Sequence, residues 1–499
     1  MRSCAGLRVP VLLLAACLAG EAAARDADIG TLRAWQLPAY TLIAADGGDP
    51  RYLVQRLDNT QRAVSKLLAT PVKPVAVPTF VWLVPRKVWN RYLAPSNAIV
   101  GEFVPGRFTH YLLIDEGIGR DGVREAVQHE YTHHFLRTQW GGLYPLWFDE
   151  GVAEIMGGAR LYHDRAVLQV PRASSVGTWI EMWRLFELDK NSREYLSPNW
   201  SDAVHGESWA IVHRALMHDT KFGNQMFAYL AAANRLVPPE DAVTQSFGMS
   251  FAELDASMKS YVRERVFAVG AVNFEDAPRA SMPAGRALAP VEALASLARV
   301  MLDTGFQPAH VAEIVGTARR AAPGAPEVAI LDVRLAVRDR RDAEALRLAA
   351  RLGATHDLAT LRDTGLALLE RVREPVAGDP LDPGMRADFE DAAFGLLDRA
   401  LRIDAGDAPA AWGYALLAAR RRDGIDTALE RLATARTRMP GHPDLAEATA
   451  LALEARGRED AMLPFLLDAV RNTSSAAQRA RAAQRIADLR IKEREKAPQ

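Results

Sequence analysis

The chain has almost no cysteine: Cys4 and Cys17 are the only two in 499 residues, and both fall near the start. The remainder has no thiol to cross-link, so its stability has to come from packing even in an oxidising compartment. After the first two dozen residues no stretch approaches the ~20 uninterrupted apolar residues needed to cross a bilayer. An excess of one charge is missing as well: 61 Lys and Arg stand against 62 Asp and Glu, for a formal net charge of -1. No basic stripe interleaved with aromatics occurs, so the composition offers no footprint of a nucleic-acid binder. Tryptophan is scarce in one half only, since nine of the ten lie before residue 270. That shift predicts a change of domain.

Met1 to Ala24 carries Arg2 and Arg8, an apolar run from Val9 to Ala19 and the small residues Ala22-Ala23-Ala24. This is the layout of a secretory signal. Leu14-Ala15-Ala16-Cys17 equally resembles a bacterial lipobox, which would make Cys17 a lipidated first residue. The expectation is an exported protein of the bacterial periplasm or envelope, meeting the membrane only through a possible lipid anchor at Cys17.

The most informative stretch is Gln128-His129-Glu130-Tyr131-Thr132-His133-His134, followed by Leu146-Trp147-Phe148-Asp149-Glu150-Gly151-Val152-Ala153-Glu154. Residues four apart share a helix face, so His129 and His133 can present two imidazole nitrogens to one metal ion. Glu130 lies beside that face, where a carboxylate can take a proton from a water activated by the metal. A catalytic zinc usually has three protein ligands, and Glu150 is the best third candidate. The first helix should run from about Gly122 to Thr138 and stop at Gly141-Gly142, with Pro145 opening a second that folds back. His134 would point away from the metal, to a structural place.

With Glu150 inside Asp-Glu-Gly-Val-Ala-Glu, the pattern resembles the gluzincin zinc metallopeptidases, in particular the peptidase-MA-like and aminopeptidase-N-like groups. The resemblance covers roughly residues 30–270. It implies Zn2+ as cofactor, with His129, His133 and Glu150 as metal ligands, Glu130 as general base, and Glu154 orienting a zinc-binding histidine. In that family a catalytic tyrosine often follows the third ligand by fifty to sixty residues. His205 stands there instead, as the candidate to stabilise the oxyanion.

Around this core, Ala39–Ala45 and Pro78–Val84 read as strands, Asp49–Leu68 as an amphipathic helix, and 98–103 with 108–114 as a hairpin about Val104-Pro105-Gly106-Arg107. The hairpin would be the edge that receives extended substrate. Gly117-Ile118-Gly119-Arg120-Asp121-Gly122 is read as a loop, because the following unit lacks the second strand of a dinucleotide fold. Beyond a linker, the chain turns to Ala, Leu, Arg and Asp at helical spacing. Pro409 and Pro443 are 34 apart, the tetratricopeptide period, and an insert at 373–386 interrupts the array.

The sequence thus predicts an α+β chain. A signal occupies 1–24, an α/β part 25–120, a helical zincin-type zinc-site part 121–270, a linker 271–285, and an all-α domain of tetratricopeptide-like repeats 286–490. The predicted function is an exported zinc-dependent metallopeptidase, a hydrolase of the HExxH type acting on a peptide or protein substrate. The alternative is a catalytically weak or inactive envelope scaffold that binds a protein partner on its repeats. No nucleic-acid partner is expected.

Overall fold

The computed structural model describes residues 29–46, 50–93, 100–169, 178–275, 282–373 and 381–496. The proposed signal with Cys4 and Cys17, and 374–380 of the proline-containing insert, lie outside the described residues. Five strands form the body of a mixed sheet: β1 (Leu32–Gln36), β2 (Thr41–Ala45), β3 (Thr79–Val84), β4 (Gly101–Pro105) and β5 (His110–Asp115). Their order is β4-β5-β3-β2-β1, and the short strand Arg286–Ala287 adds antiparallel to β1. β3 runs parallel to β2 and to β5, while β4 and β5 form the expected hairpin, with Phe103 opposite Leu112.

Alternation along the strands gives the sheet two apolar faces. Leu42, Val81, Leu112 and Ile114 pack with the helix Pro50–Leu67 and with the motif helix Gly119–Phe135. Ile43, Trp82 and Leu113 pack on the other side against helices Pro290–Thr304, Pro308–Ala321 and Pro326–Arg338. The change in composition near 271–285 is therefore not a break in packing. Helices from beyond it complete one face of the sheet.

The motif helix begins three residues earlier than its sequence suggested. It continues beyond Phe135 as a wider turn, Leu136–Trp140, and ends at Gly141, whose φ of 68° is the left-handed conformation that glycine adopts without penalty. Pro145 precedes the second motif helix, Leu146–Gly157, as expected. A third helix, Pro198–His213, packs tightly on this one. A Cβ on Gly151 would lie 2.4 Å from the Ser208 carbonyl oxygen, so only glycine allows the two backbones so close.

Over residues 290–373 and 381–496 the chain is a series of packed helices, tetratricopeptide-like in arrangement. Several begin with proline in the first turn, where a missing N–H leaves no orphan donor. Their crossings are lined with buried alanines such as Ala411, Ala415 and Ala448, and ion pairs such as Arg438–Asp404 and Arg481–Glu447 link positions 34 apart. The array also reaches the hairpin tip. Arg107 pairs with Asp444 at 2.8 Å, and Phe108 stacks on His442 with ring centres 4.7 Å apart. The coarse expectation of a small mixed sheet, further helices and an all-α repeat region is the observed architecture.

Candidate metal centre

His129 and His133 project from one face of the motif helix, with their Nε2 atoms 3.1 Å apart. Glu150 Oε2 lies 3.5 Å from each of them. A tetrahedral zinc with ligands at ~2.0–2.1 Å would have ligand edges of about 3.3–3.4 Å, so the three atoms already stand at coordination spacing. Glu150 is fully buried, and its Oε2 makes no hydrogen bond among the described residues. With the facing imidazoles neutral, this buried oxygen has no donor, which is unfavourable, and a cation at this position would relieve it. The donor set and the orphaned oxygen both fit zinc.

The surrounding groups hold these donors in place. His133 Nδ1–H donates to Asp149 Oδ1 at 2.8 Å, the outer carboxylate contact that orients a ligating imidazole. Glu154, assigned that kind of role from the sequence, sits 3.6 Å from His129 Nδ1, beyond a good hydrogen bond. Tyr195 donates its hydroxyl to Glu150 Oε1 at 3.0 Å. Neither Asp149 nor Tyr195 was anticipated. Asp149 lies inside the quoted motif and had a readable position next to Glu150, whereas nothing in the spacing marks Tyr195.

His205 does reach the centre. Its Nε2 lies 3.2 Å from Glu150 Oε2, and its Nδ1–H donates to the Ser201 carbonyl at 2.7 Å. When the ring is neutral, that bond leaves the Nε2 lone pair facing the carboxylates. His205, His129 and Glu154 form a second group of three possible donors, sharing His129 with the first. The electrostatics agree with a cation cage. Burial works to lower the histidines, but Glu150 and Glu154 outweigh it and push His129 up to about 9 and His205 up to about 10. Burial would raise Glu150, yet His133, His205 and His129 together hold it well below the usual carboxylate range.

Glu130 points to the sheet edge, where its Oε2 accepts the Phe103 N–H of β4 at 2.8 Å. Glu102 on the same strand is raised to about 7 by burial and by Glu130, against the opposing pull of Lys190. His134 faces away from the metal side, as expected. It is buried, 3.1 Å from Thr79 Oγ1, and burial lowers it to about 4.

No protein-family profile and no curated protein matches the chain. The similar solved structures are tetratricopeptide proteins. TTC0263, a thermophilic TPR protein of Thermus thermophilus, is 18% identical, covering 40% of this chain and 99% of its own, with a TM-score of 0.32. YrrB, described as a TPR protein with an unusual peptide-binding site, is 14% identical, with coverages of 38% and 91% and a TM-score of 0.28. MamA is 15% identical, with coverages of 38% and 94% and a TM-score of 0.26.

None of these is a peptidase, and the resemblance to gluzincin metallopeptidases is corrected accordingly: the chain is not assigned to that family. The class labels drawn from it, zincin-type domain, hydrolase and metalloprotease, fall with the assignment. The physical reason is that the resemblance rested on a short run of residues. Two histidines four apart on any helix share a face, and a glutamate on an adjacent helix can reach them without common descent. The His-Glu-x-x-His spacing remains in the sequence, but it does not serve as a family signature here.

Proposed function

We propose that the chain is an exported helical-repeat scaffold for a protein or peptide partner, built onto a domain with a zinc centre at His129, His133 and Glu150. The observation that carries the scaffold reading is a groove of about 810 Å3 between helices of the array, with Trp412, Leu416 and Leu451 beside Arg420 and Glu447 in its lining. Apolar anchors flanked by both signs of charge suit a peptide segment. Stacked helical pairs present such a surface without a large core of their own. Zinc, when bound, would supply a lowered water pKa and a polarised carbonyl, chemistry that a helical array lacks.

A second reading, cleavage of a peptide bond in the bound partner, is favoured by the place of Glu130. Its carboxylate acts electrostatically on His129 and is tethered to the edge strand by the Phe103 N–H. An extended peptide adding to that edge would pass the carboxylate, which could take a proton from water and return it to the leaving amine. His205 could hold a proton beside the same centre, or offer its Nε2 as a further donor.

Incubating the full chain with a peptide library tests both readings, through fluorescence anisotropy for binding and mass spectrometry for products. Peptide binding that weakens in Leu451→Ala, with no products, supports the scaffold alone. Products that vanish in Glu130→Gln while zinc content is kept support the second reading as well. If no peptide binds, or Leu451→Ala binds like the parent, the scaffold reading is wrong.

A further inference from the structure

A cavity of about 540 Å3 opens beside the metal centre, with His133, Asp149 and Phe103 in its lining. Its wall is shared by two distant parts of the chain. Arg137 comes from the continuation of the motif helix, one turn past His133, and Arg471 and Arg479 come from the last two helices of the array. Four residues along a helix amount to a rise of about 6 Å, so Arg137 stands roughly one residue's reach from the donor triad. Leu146, Phe186 and Val237 give the same cavity an apolar side.

The guanidiniums in this wall bond to neutral oxygens, while Asp149, Glu187 and Asp189 share the same lining. Arg137 donates to the Asn472 carbonyl, Arg479 to the Thr473 carbonyl at 3.1 Å, and Arg471 to the Asn234 carbonyl at 3.4 Å. Each guanidinium has five N–H donors, so these bonds to neutral oxygens leave most of its capacity unused. Arg479 Nε is buried without a hydrogen-bond partner, and among the described residues no carboxylate forms an ion pair with any of the three.

Three of the nearby acids have other partners. Asp149 holds His133, Asp444 pairs with Arg107, and Asp189 takes the Ser192 hydroxyl and the Asn191 N–H. Burial lowers both Arg137 and Arg479, against the opposing pull of Tyr144 on both, of Asp444 and Asp149 on Arg137 and of Asp189 on Arg479, and Arg137 lowers Arg479 further. An anion between them would reverse that.

We propose that this cavity binds a peptide carboxylate between Arg137 and Arg479, with an apolar side chain against Phe186 and Val237 and the preceding peptide bond directed toward His133. The proposal deepens the reading above and rests on its peptide partner. It names the chemistry recognised, a carboxylate at a chain end or on an acidic side chain, and it makes the last helices of the array part of the site. Planar guanidinium groups are suited to this, because they pair with both oxygens of a carboxylate.

The test is fluorescence anisotropy on the full zinc-containing chain in a Glu130→Gln background. The probe is a short labelled alanine-rich peptide ending in phenylalanine, as the free acid and as the amide, with a second amidated pair carrying glutamate or glutamine near the end. The free acid should bind at least ~10-fold tighter than its amide, the scale of a charge-assisted pair. That preference should fall below about twofold in Arg137→Gln and in Arg479→Gln, with zinc content and helical signal unchanged, and recover partly in Arg479→Lys.

Arg137 also holds the Asn472 carbonyl, so Arg479→Gln decides the matter if Arg137→Gln is poorly folded. A glutamate peptide that matches the free acid assigns the site to side-chain carboxylates, and one that matches glutamine assigns it to the chain end. Equal binding of acid and amide, or a preference that survives Arg479→Gln, overturns the carboxylate site while leaving the peptide partner standing. Absence of binding by every probe overturns both.

Discussion

Around the motif helix, His133, His134, Asp149, Glu150, Glu207 and His213 are buried within a few ångströms of one another's helices. Along the array, by contrast, the interior is mostly alanine and leucine, and the charges pair at the rim, as in Arg438–Asp404 and Arg485–Glu454. In the first region His133 and Glu150, with His129, stand at coordination spacing, a costly burial of ionisable groups that a bound cation would offset. The rim pairs of the second are partly exposed and contribute little each, so the array rests on close helix packing. The first region gathers ionisable groups in its interior and the second keeps them at its rim. The two meet at the hairpin tip and at the arginine-lined cavity.

The sharpest way to separate the regions is to remove a donor. Glu150→Ala or His133→Ala should lose most bound zinc while the helical signal of the array stays, measured by elemental analysis and circular dichroism. Unchanged zinc in Glu150→Ala would remove this residue from the centre. One step out, Asp149→Asn should weaken zinc by ~10–100-fold, since it disrupts a 2.8 Å contact to His133. Glu154→Gln, at 3.6 Å from His129, should change it by less than ~3-fold. Equal effects in a zinc titration would contradict this ranking of the two carboxylates.

Acidity gives a third contrast. Glu207 is fully buried, accepts the Ile180 N–H at 2.6 Å, and is raised by burial from 4.5 to about 8. The fold favours its neutral form. Its stabilising contribution is therefore present below the unfolded value and is lost as pH rises from about 4.5 through about 8. Glu207→Gln should gain on the parent over that window, by at most ~1.4 kcal/mol per pH unit, in denaturant melts at pH 5 and pH 8. A constant difference between the two pH values would refute it.

The smallest effect compares two glycines. Gly151→Ala should cost ~1–3 kcal/mol because its Cβ meets the Ser208 carbonyl, whereas Gly395→Ala in the array meets nothing within 4 Å and should stabilise by ~0.5–1 kcal/mol. Equilibrium unfolding measures both, and a neutral Gly151→Ala would mean that the two helices can part.

The same contrast explains what could be read from residues alone. Helix periods, proline starts and the His129–His133 spacing are local, so the array and the motif helix were legible nearly to their ends. Contacts made by folding were not. Tyr195 reaches Glu150 across 45 residues, and Arg479 shares a cavity with His133 only because the array turns back onto the domain. β1 was missed because Leu32–Gln36 is short and gains its strand from neighbours on both sides. The composition shift at 271–285 is a related case: it signals a change in local structure, while the shared core on the sheet depends on tertiary contact.

X-ray absorption at the zinc edge of the full chain tests the metal centre most directly. Two imidazoles and oxygen donors at ~2.0–2.1 Å are expected, and in His133→Ala the zinc signal should fall with the bound metal. An unchanged spectrum in His133→Ala, or a zinc coordinated by oxygen alone, would contradict it.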